Sequence, residues 1–288
     1  MRKLWMVLIL LCLALLHVGL ALGQGETVLA STSWVAAFAR GAGAKKVESL
    51  APANLRDPSR YELTASDLAR IRKARWVIYS GDELFADQLV QAVGDPGKLL
   101  KIRTENTPEN IARETEAIAA ALGSRAAQTA WIQEFQGIAS RVKAEINASF
   151  PEGTRVVAHP SQAAFARWLG FDLIAEVEPS DLSPTKIDEL GAKRPVLVLD
   201  SYHDPVGPLL AEKGGAIYIQ LVNYPGPKGT KTLEDVFRHN QERIAARPPQ
   251  RGELSPAEKA IPLMAIGAAG FLVIAIVSFI LLRRLGKS

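Results

Sequence analysis

The chain has 288 residues, 48% of them hydrophobic, which is enough for one large domain or two small ones with a buried core. Its net charge is +4, but Arg2, Lys3, Arg283, Arg284 and Lys287 lie in the terminal segments, so the body between them is close to neutral and a nucleic-acid partner is not expected. The single cysteine, Cys12, falls in the leading apolar segment, which excludes disulfides and thiolate chemistry from the body.

In chain order, Arg2 and Lys3 precede the apolar run Leu4 to Leu16, and small residues follow at Ala21 and Gly23. That order reads as a secretory signal peptide over residues 1–23. From Thr27 the pattern alternates strands and helices. Thr27 to Ser31 reads as a strand, Trp34 to Gly41 as a helix, Ser66 to Lys73 as a helix and Arg75 to Tyr79 as a strand. Asp82 to Val93 follows as a helix and Leu99 to Ile102 as a strand. This βα rhythm predicts a parallel sheet covered by helices, an N-terminal α/β lobe over residues 26–123.

Pro108 suits a helix start before Glu109 to Leu122. Residues 124–150 form one long linking helix, with Ile132, Phe135, Ile138, Val142 and Ile146 near the 3.6-residue period. A second βα series fills residues 154–246 as a C-terminal α/β lobe. Its strands are Thr154–Ala158, Leu173–Val177, Pro195–Leu199 and Ala216–Leu221, and Thr232 to Ala246 is a closing helix. Residues 247–260 read as a proline-stiffened linker. Residues 261–282 are free of charge and long enough to span a bilayer. Arg283, Arg284 and Lys287 place the tail, residues 283–288, in the cytoplasm and the body on the other side.

Open α/β sheets bind ligands at the carboxyl ends of their strands. His159 and Asp200 stand at two such ends, and His203 follows closely. Two imidazoles and a carboxylate suit zinc, manganese or iron(II). His159 as a helix cap, Asp200 as a turn cap and His203 as a loop residue are the structural alternatives. Asp82 and Glu83 read as helix-start residues. His239, in the closing helix, reads as a surface residue. Ser31, Ser33 and Ser201 lack a Gly-x-Ser-x-Gly elbow, and no phosphate-binding glycine loop occurs, so an enzyme is not expected.

The segment from Ala158-His159-Pro160-Ser161-Gln162 to Phe165-Ala166 and Leu169-Gly170-Phe171 resembles the metal-binding segment of zinc/manganese ABC-transporter substrate-binding proteins. Asp57-Pro58-Ser59-Arg60-Tyr61-Glu62-Leu63-Thr64-Ala65-Ser66-Asp67 is similar to that family's Asp-Pro-His-x-Tyr-Glu-x-Thr-x-Ser-Asp stretch. Thr107-Pro108-Glu109-Asn110 resembles its Asp-Pro-Glu-Asn. The resemblance covers roughly Thr27 to Ala246. It implies two α/β lobes with parallel sheets joined by a rigid helix, one divalent ion (zinc or manganese) between them, and an ABC permease as partner. The family's first metal histidine falls on Ser59, its second near Arg103 and its third on His159. Its carboxylate falls on Asp200 and its last aspartate near Asn223.

Two functions follow from this. The first is a monomeric, membrane-anchored extracytoplasmic binding protein for zinc or manganese uptake, with His159, Asp200 and His203 as ligands. The second is a relative that no longer captures metal tightly and serves as an accessory or assembly subunit, or binds another ligand.

Overall fold

The computed structural model describes residues 27–246. The segments expected as a signal peptide (1–23), a linker (247–260), a membrane span (261–282) and a cytoplasmic tail (283–288) lie outside the described residues. Among the described residues no helix is long and apolar enough to cross a membrane.

Two four-stranded parallel sheets carry the fold. The first contains β1 (Thr27–Ala30), β2 (Lys46–Ser49), β3 (Trp76–Tyr79) and β4 (Leu99–Lys101) in the order β2-β1-β3-β4. The second contains β5 (Arg155–Ala158), β6 (Asp172–Glu176), β7 (Leu197–Ser201) and β8 (Ile217–Leu221) in the order β6-β5-β7-β8. All six strand pairings are parallel. The helices of the first lobe are α1 (Ser33–Gly41), α2 (Ala65–Lys73), α3 (Ala86–Val93) and α4 (Pro108–Leu122). The linking helix α5 (Arg125–Ser149) follows, then α6 (Pro160–Trp168), α7 (Pro184–Ala192), α8 (Pro208–Gly214) and α9 (Leu233–Ala245).

Strand β2 goes unread in the sequence because Lys-Val-Glu-Ser offers a single apolar residue. It is an edge strand, exposed or half-buried along its length, so little in its composition betrays it. Helix α3 begins at Ala86 rather than Asp82, because Glu83 folds back onto the end of β3 instead of starting a helix.

Burial follows the two-residue period of the strands. In the first sheet Val28, Ala30 and Ile78 face one core, while Leu29 and Val77 face a smaller one beneath α2 and α3. In the second, Val156, Ala158, Leu197 and Leu199 join the first core, and Val157 and Val198 line a third cluster. The large core is therefore continuous across both lobes. It runs along α5, whose 25 residues span about 37 Å.

Phe135 of α5 stacks on Trp131 and meets Phe237 of α9 edge-on, and Phe165 of α6 also meets Phe237 edge-on. Phe135, Phe165 and Phe237 are essentially inaccessible, and each such burial stabilises by roughly 1.5–3 kcal/mol. Trp131 Nε1 also donates to Glu234 of α9 at 2.7 Å. Packing of this kind makes the two lobes one compact unit and brings the loops at the carboxyl ends of their strands together.

Candidate functional site

In the first lobe these loops are occupied with holding themselves. Glu83, 5% exposed, accepts the backbone N–H groups of Ser80 at 3.1 Å and Gly81 at 2.8 Å, and the hydroxyl of Ser31. The ends of β1 and β3 are thus tied by one carboxylate. After β2, Asp57 caps the short turn Pro58–Arg60, as Asp before Pro commonly does. Its Oδ1 accepts the Ser59 N–H at 3.1 Å and the Ser59 hydroxyl at 2.6 Å, and its Oδ2 accepts Arg60 Nε at 3.0 Å. Ser59 therefore directs its hydroxyl to Asp57. Arg103 is exposed and paired with Glu105 at 3.2 Å, and its carbonyl accepts the side-chain amide of Asn110 at 2.8 Å.

The second lobe presents the nitrogen ligands. His159 ends β5 and caps α6: its Nδ1 accepts the Ser161 N–H at 3.2 Å and lies 2.7 Å from the Ser161 hydroxyl. His203 follows β7, its Nε2 lies 3.3 Å from Nδ2 of Asn223, and its ring packs at 5.1 Å on Tyr224. Burial pushes both imidazoles below their ordinary pKa. The carboxylates of Asp200, Asp204 and Glu178 partly offset this for His159. Asp57 and Asp204 do so for His203, whose pKa the neighbouring His159 and Arg56 lower further. His203 thus senses both His159 and the first lobe.

Asp200 takes a different role. It is fully buried, and its Oδ1 accepts Ser201 N–H at 2.8 Å. Its Oδ2 accepts Val206 N–H, Gly207 N–H and the Tyr218 hydroxyl, each at 2.8 Å. Four donors satisfy it, and it organises the 201–207 loop rather than offering an oxygen to the cleft. Among the described residues no group of three or more His, Cys, Asp or Glu side chains is assembled to hold a metal ion. His239 lies on α9, where burial lowers its pKa and Arg243 adds to the effect.

Polar contacts bridge the lobes directly. The Tyr224 hydroxyl donates to the carbonyl of Arg56 at 2.6 Å. Burial, then Asp57 and Tyr202, hold the Tyr224 pKa far above its usual value, so it remains a donor. Asn106 Nδ2 donates to the carbonyl of Asn223 at 2.8 Å. Gln162 at the start of α6 donates its amide to Asn223 Oδ1. Gly226, at φ +134°, brings its backbone so close to the first lobe that a Cβ there would lie 2.4 Å from the carbonyl oxygen of Ala53.

Asn106 and Arg56 carry no sequence signal as bridging residues, and Gln162 carries none as the partner of Asn223 within the second lobe. Tyr224 is legible only as one aromatic among several in strand-end loops.

Comparison with known proteins agrees with this architecture. The family model described as the periplasmic component A of the zinc-uptake complex, ZnuA, matches residues 28–246. The Mn2+ complex of the SBP FpvC from Pseudomonas aeruginosa is 18% identical and aligns over 77% of this chain and 97% of its own, with a TM-score of 0.62. A ZnuA deletion mutant with zinc bound is 20% identical over 79% of this chain and 100% of its own, with a TM-score of 0.60. A periplasmic metal-binding protein from Candidatus Liberibacter asiaticus is 17% identical over 77% and 98%, with a TM-score of 0.59. At these identities the likeness is one of fold. No curated protein matches the chain.

Proposed function

Since the chain belongs to the family of the periplasmic component of zinc-uptake complexes, we propose that it is an extracytoplasmic binding protein that captures a divalent transition ion between its lobes. Zinc or manganese is the cargo, and an ABC permease receives it. Residues 261–282 anchor the protein after residues 1–23 have directed its export, with the tail at 283–288 in the cytoplasm. It works as a monomer, by binding rather than by catalysis.

One observation carries this reading. His159 and His203 come from the ends of neighbouring strands, burial lowers the pKa of both, and His203 lies near Asp57 and Arg56 of the first lobe. Neutral imidazole is the form that binds a first-row metal ion. An ion held on the second lobe would draw the first toward it by a small movement, because the shared core along α5 is stiff.

The second reading, a relative that serves as an accessory subunit without tight capture, is favoured by the saturated carboxylate of Asp200. The Ser59 hydroxyl given to Asp57 and the outward Arg103 point the same way. Titration of the full-length protein with Zn2+ and Mn2+, beside His159→Ala and His203→Ala, separates the two. Cargo capture predicts saturable one-to-one binding that either substitution weakens by about a hundredfold, the usual scale for loss of a first-row ligand contact worth roughly 2.7 kcal/mol. Binding that ignores both histidines, or none at all, would leave the accessory reading in place.

A further inference from the structure

Each parallel sheet has a second end, away from the cleft, where its strands begin. In the first lobe that end is strongly basic. Lys45 and Lys46 stand at the start of β2, Arg72, Lys73 and Arg75 just before β3, and Lys98 just before β4. All but the half-buried Lys98 are exposed. The register sets Thr27 beside Lys46, Val28 beside Trp76 and Val77 beside Leu99, so the strands start almost level. Three strand spacings, about 14 Å, then separate the β2 and β4 cations along one edge. Among the described residues Glu48 answers them by pairing with Lys46 at 3.7 Å and with Arg70 at 3.2 Å. Asp95 caps the turn before β4, its Oδ1 accepting the Gly97 N–H at 2.9 Å.

The corresponding end of the second lobe is neutralised. Lys143 pairs with Glu152 at 3.3 Å, Arg155 with Asp172 at 4.0 Å, Lys193 with Glu189 at 3.4 Å and Lys213 with Asp188 at 3.3 Å. The body as a whole is close to neutral, so the basic end of the first lobe is a local excess. Cations held in one row repel each other, and an anionic surface relieves that repulsion.

The path of the chain favours lipid as that surface. Helix α5 starts at the basic end: Ser124, just before it, donates its hydroxyl to the Ala42 carbonyl at 2.6 Å, in the turn that leads to β2. Helix α9 lies alongside α5, with Glu234 bonded to Trp131 and Gln241 to Glu145. Its last residues are therefore about 30 Å of helix away from Arg125. Residues 247–260, drawn out fully, reach about 46 Å. The tether is long enough for the basic end to meet the bilayer that holds residues 261–282. Trp76 is half-buried in the same edge with Arg75 over its ring at 5.6 Å, and an indole suits a headgroup layer.

We propose that the amino end of the first sheet is a docking surface for the anionic headgroups of the bilayer in which the chain is anchored. Lysine and arginine side chains clustered at such a surface act together, and the tether raises their effective concentration there. The cleft, at the far ends of the strands, stays clear of the lipid. The inference rests on the anchor in the proposed function and not on what the cleft binds.

The test places the full-length protein in nanodiscs of phosphatidylcholine alone, and of phosphatidylcholine and phosphatidylglycerol in equal parts. An amine-reactive label and peptide mass spectrometry then read each lysine. In the anionic lipid, Lys45, Lys46, Lys73 and Lys98 are expected to label about fivefold more slowly, the fold-change of one charge contact at such a surface. Lys186, Lys193 and Lys213 should label as before. Roughly 0.5 M NaCl should abolish the difference. Lys45→Gln, Arg72→Gln and Lys73→Gln, combined at exposed positions that leave the core intact, should return Lys98 to its rate in neutral lipid. If the four lysines label alike in both nanodiscs, the docking surface is wrong and the anchor stands. Protection seen only in native membranes assigns the surface to an acidic protein and overturns the lipid. A chain that enters neither nanodisc removes the anchor and the docking surface together.

Discussion

The two sheets share one strand order, β2-β1-β3-β4 in the first and β6-β5-β7-β8 in the second, so their strand ends can be compared position by position. After β3 a buried Glu83 folds back on Ser80 and Gly81 and reaches Ser31 on the neighbouring strand. At the end of β7, Asp200 folds onto Ser201, Val206 and Gly207 and reaches Tyr218 on the neighbouring strand. Each lobe thus has a carboxylate that organises its own loop. What differs is the end of the first strand of each sheet: Ser31 after β1 and His159 after β5. All three histidines of the described residues are in the second lobe. A common frame carries histidines on one side only, and the buried carboxylates of Glu83 and Asp200 are internal braces on both.

The most severe way to break this comparison is to remove the braces. Asp200→Ala removes, in a buried place, the carboxylate that accepts three backbone N–H groups and the Tyr218 hydroxyl, and it should cost about 3–4 kcal/mol in urea denaturation. Glu83→Ala, with three donors instead of four, should cost about 2–3 kcal/mol. Equal losses, or a larger loss in the first lobe, would mean that the braces are not ranked by their hydrogen bonds.

A middling effect is expected at the bridge. Tyr224→Phe deletes one inter-lobe hydrogen bond at little change in volume. It should cost about 1 kcal/mol, with amide exchange quickening around Arg56 and Tyr224 while the two sheets stay protected.

The mildest effect is graded with pH. His159, His203 and His239 have native pKa values below the ordinary 6.5. Between those values the unfolded chain binds more protons than the native one, so stability is full above the ordinary value and declines as pH falls through it. Denaturation near pH 7.5 and near pH 5, roughly one unit or more to either side, should show this loss, and His203→Ala should reduce its slope. Protection against amide exchange should fall first in the second lobe, which holds every described histidine.

The alternation of strands and helices was legible because burial on both faces makes parallel strands apolar runs. The linking helix was legible because its core positions keep a helical period over many turns. Strand β2 was not, since an edge strand needs few apolar residues. For the cleft, sequence position identified His159 and Asn223 but not their bonding. Whether His159 offers a lone pair depends on which way the first turn of α6 points its N–H groups. The setting of Asn223 depends on Asn106, 117 residues away in the chain. Its sequence position suits Asp200 to a ligand or a turn cap alike, and only its hydrogen bonds show the second role.

Gly226 bears on how such a cleft could be studied. Its backbone seats against Ala53 with no room for even one carbon between them, so the fit there has the tolerance of a machined face. A Gly226→Ala chain carries a shim of a single methyl group, placed on a backbone conformation that L-residues avoid. Such a shim works on the spacing of the lobes without substituting any polar residue of the cleft. It offers a chemical means of propping the cleft open for measurement, independent of any ion.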